Sequence, residues 1–204
     1  RPEIAVIEER PVTALIDGGG GLGHAPSTLA MGMAIDKAKA AGLAAVAVRN
    51  SNHFGAAGAY ALMAARAGLI GIAMTNAGSR AIVPTRAREP VFGTNPIAFA
   101  APAGRNKPFV LDMATSTVAV GKVKLAAYAD KAMPEGWVSD PEGAAVTDPH
   151  QAFDGHGRLA LGYGISPLGG LAALSSHKGY GLAAMVEVLC SMLPGAPFIG
   201  QVDN

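Results

Sequence analysis

Two uninterrupted apolar runs of strand length, residues 43–48 and 69–74, set the first limit on how this chain can fold. Each follows a glycine, Gly42 or Gly68, that closes a helix pattern. Between them lie the polar stretch Arg49-Asn50-Ser51-Asn52-His53 and a helix pattern through Tyr60, Met63 and Ala67. Short apolar runs bounded by breakers read as strands buried on both faces. Strand, helix and strand in succession predict an α/β layer. Such layers gather ligand-binding groups where a strand hands over to a helix, which draws attention to residues 49–53.

Upstream, residues 3–8 and 12–17 read as short strands separated by Arg10-Pro11, and the loop Gly18-Gly19-Gly20-Gly21-Leu22-Gly23 follows. Ser27 is placed to cap a helix carrying Met31, Ile35 and Ala38 on one face. Gly18, Gly20 and Gly23 satisfy G-x-G-x-x-G, the spacing of a dinucleotide-binding turn. Two details oppose that reading. His24-Ala25-Pro26 separate the glycines from the Ser27 cap, and the strand ending at Val48 runs into Arg49 and Asn50 instead of an acid. With 41 Ala and 27 Gly making up one third of 204 residues, chance matches are frequent, and a plain strand-to-helix turn is the simpler reading.

Downstream, residues 96–100 and 109–111 read as strands, and a helix after Thr115 runs through Lys122 to Tyr128. Residues 133–157, rich in proline and glycine, read as an exposed excursion, and residues 179–193 form the clearest helix pattern. No repeat, low-complexity tract or linker divides residues 1–204, which are taken as one unit. A net charge of +1 with no Lys/Arg cluster gives no footprint for nucleic acid, and no apolar run is long enough to span a bilayer. A small molecule or another protein is the expected partner. The single Cys190 excludes an internal disulfide framework and a cysteine zinc site, which makes a reducing cytoplasm the expected setting. His150 and His156 have no third ligand at a metal-like spacing, and no metal is assigned.

Few polar residues have chemical potential. His53 offers an imidazole that exchanges a proton or donates to a cofactor, and equally could cap the next helix. His24, after the glycines, is placed to line the same cleft. His177-Lys178-Gly179-Tyr180-Gly181 opens the last helix, where amides and an ammonium suit a phosphate or carboxylate; a solvated first turn is the alternative. Asp112 follows an apolar strand and either accepts from a ribose hydroxyl or caps a helix. Gly93-Thr94-Asn95-Pro96 serves a ligand contact or only a tight turn.

Read together, Asn50-Ser51-Asn52-His53-Phe54-Gly55, Met74-Thr75-Asn76, Gly93-Thr94-Asn95-Pro96-Ile97-Ala98, Leu111-Asp112-Met113-Ala114-Thr115-Ser116, Val120-Gly121-Lys122 and His177-Lys178-Gly179-Tyr180-Gly181-Leu182 resemble, collinearly, the malate/L-lactate dehydrogenase family of the non-Rossmann type. The resemblance implies an NAD- or NADP-dependent homodimer with a mixed-sheet α/β cofactor-binding fold. It implies that His53, Phe54, Gly55, Ala56 and Ala57 contact the cofactor, with His53 also an acid/base candidate. By the same carry-over Asp112, Met113 and Ala114 line the nucleotide site, His177 and Lys178 bind the phosphate region, and Thr94 faces the substrate. Family members are longer, and a Ser-His-Gly motif with a nearby Arg lies upstream of the stretch matched here. The chain is therefore expected to be a fragment covering the cofactor-binding core, without that segment and without a C-terminal part. Imine-reducing members place an Asp after the glycine matched by Gly121. Lys122 stands there in this chain, and its cation favours an anionic 2-hydroxy acid of malate or lactate type. The expected reaction is hydride transfer with a 2-hydroxy/2-oxo acid. A catalytically inactive nucleotide-binding fragment, a cyclic imino-acid reductase and a scaffolding module are the alternatives.

Overall fold

In the computed structural model, which describes residues 2–154 and 156–199, the two apolar runs become strands of different sheets. The first sheet has the order β1 (Ala5–Glu9), β2 (Thr13–Asp17), β3 (Ala45–Arg49), with β1 antiparallel and β3 parallel to β2. A parallel pair needs a crossover, and α1 (His24–Ala41) supplies it. It begins at His24 with Gly23 as its cap, not at Ser27. Pro26 falls in the first turn, where the missing N–H costs no helix hydrogen bond.

The second sheet is antiparallel throughout, in the order β4 (Gly71–Met74), β5 (Ile97–Ala103), β6 (Asn106–Met113). The helix α2 (Ala57–Arg66) lies on one face, setting Ala57, Ala61 and Ala65 against Ala98 and Ala100. The spacing i, i+4, i+8 puts these alanines on one stripe. Small side chains let helix and sheet approach closely: a Cβ on Gly71 would strike the Ala61 carbonyl and stand 2.8 Å from the Ala64 methyl. This is what the alanine and glycine richness does here.

Burial on both faces, expected of the two runs, is not found. β3 is exposed or half-buried along its length, and β4 buries only Gly71. The far face of the second sheet carries Ile72, Phe99 and Leu111 in register, with Phe109 edge-on to Phe99 at 6.2 Å, and Ile72, Phe109 and Leu111 are exposed.

Residues 133–157 are not an exposed excursion. Together with α3 (Val120–Tyr128) and the small sheet of β7 (Val138–Ser139), β8 (Ala145–Val146) and β9 (Gly164–Ile165), they build a hydrophobic cluster. Val118, Val123, Met133, Val138, Val146, Ala152 and Ile165 are buried there, with Trp137 and Phe153 packed against them. Its apolar residues stand singly between turns, so no run or period marks them in the sequence. The last helix, α4 (His177–Glu187), continues as a π-helical turn, Val188–Met192, and buries Ala183 against Ile82 and Phe92.

Candidate functional site

The glycine loop between β2 and α1 has spent its amides. Gly18 donates to the Arg49 carbonyl at 2.8 Å, Gly19 to Asp17 Oδ1 at 2.9 Å, Gly20 to the Asn50 carbonyl at 2.8 Å, Gly21 to Gly18 and Gly23 to His53. An amide already bonded to protein does not cradle a pyrophosphate. The helix does start directly after Gly23, so the spacing objection drawn from Ser27 falls. The spent amides and the missing acid exclude a dinucleotide turn in its place.

The loop instead clamps the stretch that follows β3. Asn52 donates its backbone N–H to Gly21 and its Nδ2 to the Gly20 carbonyl, at 2.8 and 2.7 Å. A Cβ on Gly23 would stand 2.6 Å from the Asn52 carbonyl oxygen and 2.7 Å from Phe54 Cβ. Asp17 anchors the clamp. The Gly19 amide, then the Asn50 side chain, and last the Arg49 guanidinium hold its carboxyl below the usual range against the opposing effect of burial.

The clamp presents residues 53–57 at the head of α2. His53 is exposed, and its Nδ1 accepts the Gly55 N–H at 3.2 Å, which leaves Nε2 as the free ring position. Phe54 stacks on Tyr60 with centroids 5.1 Å apart, and Tyr60 Oη donates to the Phe54 carbonyl. Burial pushes the Tyr60 phenol up, partly offset by a hydrogen bond with Ser27. Gly55 has φ +81° and lies against the His24 imidazole: a Cβ there would be 2.9 Å from Nε2. His24 thus does reach this segment. Ala56 caps α2 without a side-chain bond, and Ala57 is buried.

Asp112 meets this segment from β6. Its Oδ2 accepts the Gly58 N–H at 2.8 Å, a carboxylate at the positive end of a helix. Gly58 is required for that approach, since a Cβ would sit 2.9 Å from Oδ2. The other carboxylate oxygen has no hydrogen-bond partner among the described residues. Next to it, Met113 and Ala114 are half-buried.

The stretch that follows β6 joins the remaining candidates. The Thr94 carbonyl accepts from the Thr115 N–H at 2.9 Å and from Thr115 Oγ1 at 3.2 Å. Leu168 donates to the Thr115 carbonyl and accepts from Gly179, which ties the start of α4 to the same stretch. His177 and Lys178 stand exposed on the first turn of α4. That turn holds no acidic residue, and the Ser176 hydroxyl pairs with Thr85 at 2.8 Å instead of capping it. The Lys178 and Gly179 amides are bonded to the Ser175 and Leu168 carbonyls, so the exposed His177 and Lys178 side chains are what this turn offers an anion. Lys122, on α3, is exposed, and no hydrogen bond or ion pair joins it to His53 among the described residues.

The structure thus joins the head of α2 to Asp112, and Thr94 and the start of α4 to Thr115 just beyond β6, with no hydrogen bond from Lys122 to any of them among the described residues. The chemistry of the set suits a dinucleotide: a free carboxylate oxygen for ribose hydroxyls and a helix start with an exposed histidine and lysine for phosphate. Gly58 and Tyr60 bond to Asp112 and Phe54 of this set without standing out as candidates in the sequence. An isolated glycine inside a helix pattern was the one available signal for Gly58. Among the described residues there is no cluster of three or more metal-ligating side chains and no helix long and apolar enough to cross a membrane.

A family profile described as malate/L-lactate dehydrogenase matches residues 1–204. The chain is 48% identical over 205 residues to the malate dehydrogenase of Pyrococcus horikoshii, covering 100% of this chain and 54% of that protein. It is 42% identical over 192 residues to the L-sulfolactate dehydrogenase of Methanocaldococcus jannaschii, covering 94% of this chain and 51% of that protein. The crystal structure of malate dehydrogenase from Entamoeba histolytica matches with a TM-score of 0.88 at 38% identity, over 97% of this chain and 54% of that one. The chain spans about half the length of the relatives it matches.

Proposed function

The chain belongs to the malate/L-lactate dehydrogenase family, and from that premise we propose that the complete protein transfers a hydride between NAD or NADP and C2 of a 2-hydroxy/2-oxo acid of malate or lactate type. The observation that carries this reading is the Asp112 carboxylate, fixed by the Gly58 amide with one oxygen free beside His53–Ala57. When bound, the nicotinamide supplies or takes the hydride.

The free oxygen of Asp112 accepts from the ribose, Met113 and Ala114 line the nucleotide, and His53, Phe54, Gly55, Ala56 and Ala57 contact it from the head of α2. His177 and Lys178 hold the phosphates from the first turn of α4. Thr94 faces the substrate, and the Lys122 ammonium draws the anionic acid toward the site. His53 has two roles with different geometric demands. With Nδ1 accepting from Gly55, a neutral imidazole donates from Nε2 to a ligand oxygen. Moving the hydroxyl proton needs the imidazolium, which carries hydrogen on Nδ1, so the Gly55 contact opens in that step. A carboxylate-binding arginine and a Ser-His pair, as the family resemblance implies, belong to the longer protein. That resemblance also carries a homodimer, and the single Cys190 points to a reducing cytoplasm. The exposed apolar face of Ile72, Phe109 and Leu111 is in keeping with an assembly that covers it.

The test is nicotinamide absorbance in a full-length protein offered malate, lactate, sulfolactate or their oxo forms, with a cofactor titration of the 204-residue chain beside it. Turnover of at least one acid is expected, together with cofactor binding that Asp112→Asn weakens. No turnover of any 2-oxo acid would sink the reading.

A further inference from the structure

Three costly features meet at one buried point beneath the site. Glu187, the last residue of α4, is 2% exposed and has no cationic partner within ion-pair distance among the described residues. Its Oε1 accepts from Asn95 Nδ2 at 2.9 Å and its Oε2 from Ser191 Oγ at 3.1 Å. Asn95 is fully buried and has φ +34°, left-handed backbone that a residue with a side chain rarely adopts. Directly after Glu187 the helix changes to π geometry, which is uncommon and concentrates at functional sites. A buried carboxylate without a cation, a strained asparagine and a π turn each cost stability. Leucine or methionine in place of Glu187 would pack the same space at lower cost.

Glu187 and Asn95 meet at the turn Gly93-Thr94-Asn95-Pro96, and the π turn is tied to them through the Ser191 hydroxyl on Glu187. Asn95 Nδ2 also donates to the Ala183 carbonyl at 3.1 Å, and Oδ1 accepts the Ala77 N–H at 3.0 Å. One side chain thus ties α4 to the loop after β4 and to its own turn. The preceding residue, Thr94, is then pinned from its other side by Thr115. Of the three groups that Asn95 holds, Glu187 is the only one that does not belong to the main chain.

We infer that Glu187 is a positioning residue: acting through Asn95, it fixes the turn that presents Thr94 to the substrate. This rests on the reaction and the role of Thr94 proposed above. Glu187 touches neither substrate nor cofactor. Its carboxylate orients the Asn95 amide, the amide holds the backbone in its left-handed conformation, and that backbone sets where the Thr94 side chain stands.

The test uses the full-length enzyme. Glu187→Gln keeps an acceptor for Asn95 Nδ2, and Glu187→Met fills the space without one. Asn95→Gly cuts the same link from the other end, at a backbone conformation glycine adopts freely. Glu187→Met and Asn95→Gly are expected to raise KM for the 2-oxo acid about tenfold with kcat per active site nearly unchanged, the effect of a fraction of an ångström of misplacement. Glu187→Gln stays close to wild type. Amide hydrogen exchange is the second readout and needs no turnover: the Ala77 amide speeds up about tenfold in both disrupting variants while the β5 amides keep their protection. A residue that only stabilised the fold would lower protection everywhere and leave KM alone, and either of those results overturns the proposal. Faster exchange at Ala77 with an unchanged KM also overturns it, by breaking the link to Thr94. If the wild-type enzyme turns over no 2-oxo acid, the hydride-transfer reading fails while the exchange result still reports on the Glu187–Asn95 link.

Discussion

Gly58→Ala separates the stability of α2 from its service to Asp112. A Cβ at this position would lie 2.9 Å from Asp112 Oδ2, 3.1 Å from its Cβ and 3.3 Å from its Cγ, so the carboxylate must swing away. The 2.8 Å bond from the Gly58 amide is lost with it. A hydrogen bond to a charged group contributes about 1.5–3 kcal/mol, nearer the lower figure for an exposed carboxylate. Replacing glycine by alanine in a helix returns up to about 1 kcal/mol. The net loss of stability is then about 0.5–1 kcal/mol, a fall in Tm of roughly 2 °C for a chain of this size. Cofactor binding has no such offset. On the proposed role, a displaced Asp112 forfeits its bond to the ribose, and about 1.5–3 kcal/mol corresponds to a roughly 10- to 100-fold weaker Kd. The assays are a thermal melt and a fluorescence titration with NADH or NADPH, with Gly32→Ala as the comparison because a Cβ at Gly32 meets nothing within 4 Å. Gly58→Ala binding within about twofold of wild type would refute the role given to Asp112.

Three further outcomes follow from the packing and the charges. Burial, reinforced by the nearby Glu187 carboxylate and opposed by the Asn76 amide, pushes the Cys190 thiol up to about 12. A thiol reagent near neutral pH should therefore label Cys190 only on unfolding, and immediate stoichiometric labelling of the native chain would contradict this. The Asp17 carboxyl is held below its ordinary range in the folded state, so its contribution is present above the unfolded value and lost as pH falls through the folded one. The Tm difference between wild type and Asp17→Asn should be largest at neutral pH and shrink on acidification, and a constant difference would count against the clamp. Val138→Ala should cost roughly 1–3 kcal/mol in denaturant unfolding, because Val138 is fully buried in the cluster of residues 118–165. A cost near zero would mean that this region is not packed as described.

What the sequence revealed and what it hid divide along the range of the interactions. Strands and helices set by local periodicity were found, with ends off by a few residues: α1 starts at His24 and not at Ser27, because a glycine cap and an early proline serve as well as a serine. Sheet membership was not legible. The runs at 43–48 and 69–74 look alike, yet one pairs parallel with β2 and the other antiparallel with β5. The cluster beneath residues 133–157 was hidden because its apolar side chains converge only in space. In the site, motif matching led to His53–Ala57, Asp112–Ala114, Thr94, Lys122 and His177–Lys178, and the fold bonds Asp112 to the head of α2 and Thr94 to Thr115. The contacts that hold them were out of reach: Gly58 meets Asp112 from 54 residues away, and Asn95 meets Glu187 from 92. The glycine run shows the reverse error, a pattern legible in sequence whose amides turn out to be bonded to protein.

The most direct test of hydride transfer follows the hydrogen itself. The full-length protein is given a 2-oxo acid and nicotinamide cofactor carrying deuterium at the transferable C4 position, in ordinary water, and the product is read by mass spectrometry and NMR. Direct transfer places deuterium on C2 of the 2-hydroxy acid. Solvent hydrogen at C2, or no reduction of any 2-oxo acid, would contradict it.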